Sequence, residues 1–358
     1  MDLGVYLHYP WCRKLCPYCD FAVEVGAPEH EGYLAAILRE LDARAPAFAG
    51  ALASIYVGGG TPSLWDPACV ARAIAEIRGR FGQPREITLE ANPTDCTAER
   101  LAAWRAAGVT RLSIGVQSFD ADELVVLGRD HRFGDGRTAV AAARAAGFVV
   151  SADFILGTPV PGRAAMPPHV ETDVDHLSIY ELTIEERTAF GARVRAGRLV
   201  PHDEDTLYAL YVATHDALTA RGFEHYEISS YAKPGRRAVH NSLYWRGQPF
   251  LGIGCGAASL QLHADGSAIR ATNPRRVADY LAGAPPDAMT IPAAEMAADR
   301  AWLGLRTVDG VAETDVAPEI AAWLCDEQLA ERRAGWICPT LRGFLMADRI
   351  AARIVAMS

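Results

Sequence analysis

Three cysteines crowd into eight residues near the start of the chain, in the run Trp11-Cys12-Arg13-Lys14-Leu15-Cys16-Pro17-Tyr18-Cys19-Asp20-Phe21. The spacing is C-x3-C-x2-C. Three thiolates hold three irons of a [4Fe–4S] cluster and leave the fourth iron open to a small chelating molecule. A structural zinc wants four closed protein ligands instead, and no fourth cysteine lies nearby. His8 is a candidate for the fourth place, but it sits inside an expected strand. The other five cysteines (Cys69, Cys96, Cys255, Cys325 and Cys338) are scattered. That pattern is not a secreted disulfide framework; the clustering reads as a metal or redox site in a reducing compartment.

Other residue types with chemical reach stand at the ends of apolar runs. Gly58, Gly59 and Gly60, followed by Thr61, expose backbone where a ligand can approach closely. Glu90, Gln117 and Asp153 end or lie within later runs. A carboxylate in such a place accepts two hydroxyl hydrogen bonds, as a ribose would offer. Arg129, in Leu-Gly-Arg-Asp-His, is a bidentate match for a carboxylate. Tyr6 and Tyr18 flank the cysteine run. Far along the chain, His240-Asn241-Ser242-Leu243-Tyr244-Trp245 combines an imidazole with flat aromatic faces, a set that suits a porphyrin and its iron. Each of these also has a plain structural reading: a turn for the glycines, a strand-end hydrogen bond for the polar groups, a packed residue for the histidine.

Regular elements must position these groups. Short apolar runs at 4–9, 54–59, 86–92, 111–118, 149–157 and 176–183 read as strands. Ala-, Leu- and Arg-rich stretches at 31–45, 66–80, 97–107 and 136–146 read as helices between them. Gly108 and Gly147 mark two helix ends. Strand and helix in alternation predict a parallel sheet with helices outside it. Six strands fall short of an eight-stranded barrel, so an open or partial barrel is expected. The connection 158–175 is Pro-rich and short, which predicts a reduced or irregular segment. Residues 203–221 read as a helix capped by Asp203, and 229–259 as a polar, Gly-bearing stretch. Beyond 284–292 the pattern turns to helices, consistent with a small, mostly helical, winged-helix-like domain. The expected division is 1–260 and 261–358.

Composition narrows the class. The chain has 358 residues, half of them apolar and 22% charged, an ordinary globular balance. Its net charge is −9 and no basic block is present, which speaks against a dedicated nucleic-acid binder. No apolar run reaches the length of a membrane span. The opening residues lack the charged start and apolar stretch of a signal peptide. A cytoplasmic protein is the expectation.

The run LHYPWCRKLCPYCDF resembles the cluster loop of radical S-adenosylmethionine (radical SAM) enzymes. With GGGTPSLW (58–65), LEANP (89–93), SIGVQSF (113–119), LGRDH (127–131), DFILGTP (153–159), HLSIYELT (176–183) and HNSLYW, it is similar to the branch that contains oxygen-independent coproporphyrinogen III oxidases and heme chaperones. The resemblance implies an α/β fold with a partial (β/α)6 barrel. It also implies a [4Fe–4S] cluster on Cys12, Cys16 and Cys19. SAM would meet Tyr6, Tyr18, Gly59, Gly60 and Thr61, with Glu90 and Gln117 against its atoms, Arg129 on its carboxylate and Asp153 on its ribose. In the family, SAM on the open iron is cleaved to a 5′-deoxyadenosyl radical.

Two departures separate the branches. Oxidases of this group carry a fourth cysteine two residues after the third, where Phe21 stands here. They also carry an extended segment before the cluster, where this chain has 11 residues. HNSLYW matches the HNxxYW motif of the chaperones and makes His240 the candidate heme ligand, with Arg236, Arg237 and Arg246 near enough in sequence to meet propionates. The resemblance therefore implies a chaperone that binds the cluster, SAM and heme, takes heme or electrons from a donor, and delivers heme to apo-hemoproteins. A radical SAM enzyme, either a divergent coproporphyrinogen III oxidase or one with another substrate, is the second reading. A cluster with only a structural or regulatory role is the third.

Overall fold

The computed structural model describes residues 1–164 and 173–357. Six strands lie in chain order: β1 (Asp2–Tyr9), β2 (Ala51–Gly59), β3 (Glu86–Ala91), β4 (Arg111–Gln117), β5 (Val149–Leu156) and β6 (His176–Glu181). Each pairs in parallel with the next. Helices α1 (His30–Arg44), α2 (Pro67–Phe81), α3 (Ala98–Ala106), α4 (Ala121–Val126) and α5 (Asp135–Ala145) occupy the first four connections. Of the fifth connection, residues 158–164 and 173–175 form neither helix nor strand, while 165–172, on which the rest of the expectation for 158–175 falls, lie outside the described residues. After β6 come α6 (Ala189–Arg195) and α7 (Glu204–Thr219). The architecture is α/β, a partial TIM-like barrel followed by a smaller helical domain.

Local chemistry sets these boundaries. Asp66 accepts from the Ala68 N–H with Pro67 in the first turn, and Thr97 and Asp203 cap α3 and α7 through Arg100 and Thr206. These side chains satisfy amide donors that a helix start otherwise leaves without a partner. Gly108 and Gly147 take left-handed φ angles of +95° and +82° where the chain turns into β4 and β5.

Alternation within the strands builds two interiors. Val5, Ile55, Ile87, Leu112, Val150 and Leu177 face outward and pack against Leu34, Ile37, Val70, Ile74, Leu101 and Val140 of the helices. Burying one such side chain contributes about 1.5–3 kcal/mol. The alternate residues face into the barrel and are polar: Tyr56, Glu90, Ser113, Gln117, Asp153 and Tyr180 line one cavity. Parallel strands covered on both sides usually read as unbroken apolar runs. These do not, because the inner face serves a site.

The sheet extends past the barrel. The stretch 229–259 holds more regular structure than its polar composition suggests. Just before it lies strand β7 (Glu224–Glu227), and it contains strand β8 (Ser230–Ala232), helix α8 (Val239–Trp245), and β9 (Phe250–Ile253), which pairs in parallel with β1 as a seventh parallel strand. Antiparallel strands β10 (Ala258–Leu262) and β11 (Ala268–Thr272) follow, then helix α9 (Val277–Leu281) and strand β12 (Asp287–Ile291). The order is β12-β11-β10-β9-β1-β2-β3-β4-β5-β6-β8-β7. Residue 260 therefore lies inside a strand, and the sheet runs on to Ile291. From Ala293 onward, α10 (Ala293–Gly304), α11 (Pro318–Asp326), α12 (Leu341–Leu345) and α13 (Ala347–Ala356) surround a separate core containing Ile320, Leu324, Ile337 and Ile350. A three-stranded antiparallel sheet, β13 (Val311–Ala312), β14 (Ala330–Arg333) and β15 (Trp336–Pro339), completes this winged-helix-like unit. No helix of the described residues is long and apolar enough to cross a membrane.

Candidate cluster and SAM site

A cavity of about 330 Å³ opens at the C-terminal ends of the barrel strands, where parallel barrels gather their functional groups. The cysteine loop follows β1 and forms one wall, so Cys12, Cys16 and Cys19 all line it. Two short strands, Trp11–Cys12 and Glu24–Val25, pair at the loop's ends and close it into a lobe. Arg13, between the first two cysteines, pins the loop by an ion pair with Asp95, whose carboxylate also accepts from Ser63 Oγ at 2.7 Å. Asn92, of LEANP, donates to Asp130 at 2.8 Å and ties the same wall to LGRDH.

The glycines are required by contact. A Cβ on Gly60 would lie 2.7 Å from the Pro10 carbonyl oxygen and 3.0 Å from Cys12 Sγ. Gly59 has φ +119°, and a Cβ there would strike the His8 ring at 2.7–2.9 Å. Only a bare backbone brings the end of β2 this close to the cluster loop. Thr61 Oγ1 donates to Cys12 Sγ at 3.3 Å. His8 is buried and donates from Nε2 to the Ala22 carbonyl at 2.8 Å, while Nδ1 accepts from the Tyr6 hydroxyl at 3.0 Å. Burial holds its pKa near 4, so it is neutral and engaged on both nitrogens as a structural tie of the loop.

Burial pushes the Cys12 thiol up to about 11, opposed by the Thr61 hydroxyl and reinforced by Cys19 and Cys16. The Cys19 thiol is raised mainly by burial as well. Burial thus holds the Cys12 and Cys19 thiols back from ionising, and a bound metal would relieve them. Among the described residues, no three His, Cys, Asp or Glu side chains converge as the shell of one metal ion. Arg129 Nη1 stands 3.5 Å from Cys16 Sγ and 3.5 Å from the Tyr18 hydroxyl, and Nη2 donates to the Gly115 carbonyl at 3.2 Å. Its Nε is buried with no protein partner, an orphaned donor of the kind a bound carboxylate satisfies.

Opposite the loop lie the two carboxylates. Glu90 accepts from the Tyr56 hydroxyl at 2.8 Å and from the Gly59 N–H at 3.0 Å. Burial raises its pKa to about 7; nearby Asp153 adds to this, and the two donors oppose it. Asp153 accepts from Ser113 Oγ, 3.0 Å from each oxygen, and its pKa too is raised by burial. Both carboxylates keep an open side toward the cavity. Gln117 ends β4 at φ +65°, beyond an irregularity in the β4–β5 register, and its side chain lines the cavity. A non-glycine residue held there stores strain, a frequent feature of ligand sites.

The structure thus brings together Cys12, Cys16, Cys19, Tyr18, Gly59, Gly60, Thr61, Glu90, Gln117, Arg129 and Asp153 on one cavity. Tyr6 lies one layer below, under His8. Sequence reasoning missed Tyr56, Ser113 and Tyr180, which alternate with the apolar residues of their strands; that period of two was the available signal. His131 is buried and bonded to the Val116 carbonyl at 3.0 Å, so it braces the wall.

His240 lies apart from this group. It is 1% exposed, on α8, which packs near the N-terminal ends of β1 and β2. Its Nδ1 is bonded to Ser54 Oγ at 2.8 Å and its Nε2 to the Tyr244 hydroxyl at 2.7 Å. Neither nitrogen is open to iron in this conformation. The three expected propionate cations are also engaged: Arg237 pairs with Glu224 and Asp309, Arg246 with Asp309, and Arg236 with Asp175.

Residues 6–167 match the family model of the radical SAM superfamily. The chain is 37% identical over 291 residues to the heme chaperone HemW of Escherichia coli, covering 78% of this chain and 76% of that one. It is 38% identical over 268 residues to the HemW of Mycobacterium tuberculosis, covering 71% and 68%. The solved structure of the Escherichia coli coproporphyrinogen III oxidase HemN, a radical SAM enzyme, superposes with a TM-score of 0.80 at 22% identity, over 100% of this chain and 91% of that one, a likeness of fold. The chain belongs to the radical SAM superfamily, in the branch of the heme chaperone HemW.

Proposed function

We propose that this protein is a heme chaperone that carries a [4Fe–4S] cluster on Cys12, Cys16 and Cys19, binds SAM in the adjoining cavity, and passes heme to apo-hemoproteins. The observation that carries the reading is the convergence of the three thiols with Arg129, Glu90 and Asp153 on one cavity, in a chain whose relatives are named heme chaperones. Each cavity group matches one part of SAM. The Arg129 guanidinium offers its orphaned Nε–H to the carboxylate, Glu90 accepts from the ammonium, and Asp153 accepts from the ribose hydroxyls. Gly59 and Gly60 leave room for the amino-acid end, and Gln117 closes the side at β4. When bound, the cluster and SAM supply one-electron chemistry that no protein side chain offers.

Phe21 supports the chaperone over the oxidase. It stands where the oxidases carry a fourth cysteine, and it is 69% exposed at the cavity's edge. Leu15, 52% exposed, and Lys14 lie on the same loop. Apolar side chains beside a cation suit a flat macrocycle with carboxylate arms better than a closed decarboxylation site.

Anaerobic reconstitution followed by heme titration and transfer to an apo-hemoprotein tests the reading. Stable heme uptake and release to the apoprotein are expected. Conversion of coproporphyrinogen III to protoporphyrinogen IX in the presence of reductant and SAM would overturn it in favour of the enzyme.

A further inference from the structure

The HNSLYW helix closes the floor of the barrel, directly under the residues that hold Glu90. Its first two amides, Val239 N–H and His240 N–H, donate to the Glu86 carboxylate at 3.2 Å each, at the first residue of β3. Above them the His240 ring is fixed in its plane by the Ser54 and Tyr244 hydroxyls. Burial draws its pKa down to about 3, so it is a neutral imidazole with one donor and one acceptor, and each of the two hydroxyls can meet either. Its centroid lies 5.0 Å from that of Tyr56, at 31°, and 6.3 Å from that of Tyr6. Tyr6 and Tyr56 stack on each other at 6.0 Å. The Tyr56 hydroxyl then reaches Glu90 at 2.8 Å, and the other Glu90 oxygen takes the Gly59 N–H.

We infer that His240 is a positioning residue for the SAM site: it sets the Tyr56 ring, and through it the Glu90 carboxylate, from below, and it does not ligate heme iron in the folded protein. The inference rests on the reading of the upper cavity as a SAM site. Its physical basis is that Glu90 sits on a short stack of rings with few alternative arrangements. A ring that shifts under Tyr56 moves the hydroxyl that fixes one carboxylate oxygen. Ligating iron through either nitrogen would require His240 to give up the hydroxyl partner on that nitrogen and α8 to leave the floor, which would uncover Tyr6, Tyr56 and Glu86 together.

SAM affinity of the cluster-loaded protein is the primary readout, with the cluster's spectral response to SAM as the second. His240→Ala and Tyr56→Phe should each weaken SAM binding about tenfold, and the double variant should be no weaker than about tenfold, because both act on one path. Tyr56→Phe combined with Arg129→Ala should instead add. The heme absorption spectrum of His240→Ala should keep the native axial-ligand signature. Should His240→Ala fail to fold, Ser54→Ala and Tyr244→Phe free the ring nitrogens one at a time without opening a cavity. The inference expects weaker SAM binding from them, whereas a ligating His240 would give tighter heme binding. Unchanged SAM affinity in the folded variants, an additive His240→Ala/Tyr56→Phe pair, or a lost imidazole signature overturns the inference. A wild-type protein that binds no SAM overturns instead the reading of the cavity on which it rests.

Discussion

The two ends of the barrel use similar residues to opposite ends. Near the N-terminal ends of the strands, Ser54, Glu86, His240 and Tyr244 satisfy one another and shut solvent out. Near the C-terminal ends, Glu90, Asp153 and Arg129 each hold some protein contacts and keep others in reserve. The lower set is closed on itself, and the upper set faces a cavity. A histidine in a striking motif and a carboxylate at a strand end look equally functional in sequence. What separates them is whether their hydrogen-bonding capacity is spent inside the protein.

The largest expected effect lies on the open end. Replacing any of Cys12, Cys16 or Cys19 with Ala should abolish the cluster, read as loss of iron, sulfide and visible absorption after anaerobic reconstitution. Cys69→Ala, at a buried thiol in α2, should retain it. A cluster that survives in all three loop variants would remove the contrast between the two ends.

Glu90 should make the open end sensitive to pH. Its pKa rises from 4.5 unfolded to about 7 folded, chiefly through burial, so the folded protein holds the proton more tightly than the unfolded chain. That contribution is complete below about 4.5 and is lost as pH rises through about 7. Relative to Glu90→Gln, the SAM-free wild type should lose on the order of 3 kcal/mol of stability between pH 5 and pH 8, measured by denaturant unfolding. SAM affinity should run the other way and strengthen over the same range, since the ammonium needs the ionised carboxylate. A flat profile in both would place Glu90 with the closed end.

Asp153→Ala should weaken SAM binding by roughly 1–3 kcal/mol with the cluster intact, through loss of charge-assisted hydrogen bonds. Isothermal titration of the reconstituted protein reads this directly, and unchanged affinity would return Asp153 to a structural role alongside Ser113. The smallest effect should come from Arg246, more than half exposed and 3.7 Å from Asp309. Arg246→Ala should change stability by under about 1 kcal/mol and leave heme affinity unaltered. A marked loss of heme binding would mean that the lower end takes part in heme handling after all.

Much of the architecture was legible in residue order. The six strand runs, the helices between them, the cap at Asp203 and the turns at Gly108 and Gly147 depend on side-chain period and local backbone preference, which act within a few residues. The cysteine spacing was legible for the same reason, and it brings the three thiols to one cavity wall. Strand β9 was not legible, because Phe250–Ile253 is short and becomes a strand only by pairing with β1, some 245 residues away in sequence. The run of sheet beyond residue 260 depends on that pairing too.

By itself, then, the sequence determined which groups are present, their spacing along the chain, and the alternation that turns polar residues to one face of each strand. The tertiary structure decided which of those groups still have an open side. Tyr56 became a partner of Glu90, and His240 was closed off between Ser54 and Tyr244. Arg129 alone among the expected cavity side chains kept a buried donor without a protein partner. The physical reason is that hydrogen-bond satisfaction is a property of neighbours in space. Residues 54, 240 and 244, or 56 and 90, meet only once the strands have found their register and α8 has closed the barrel floor.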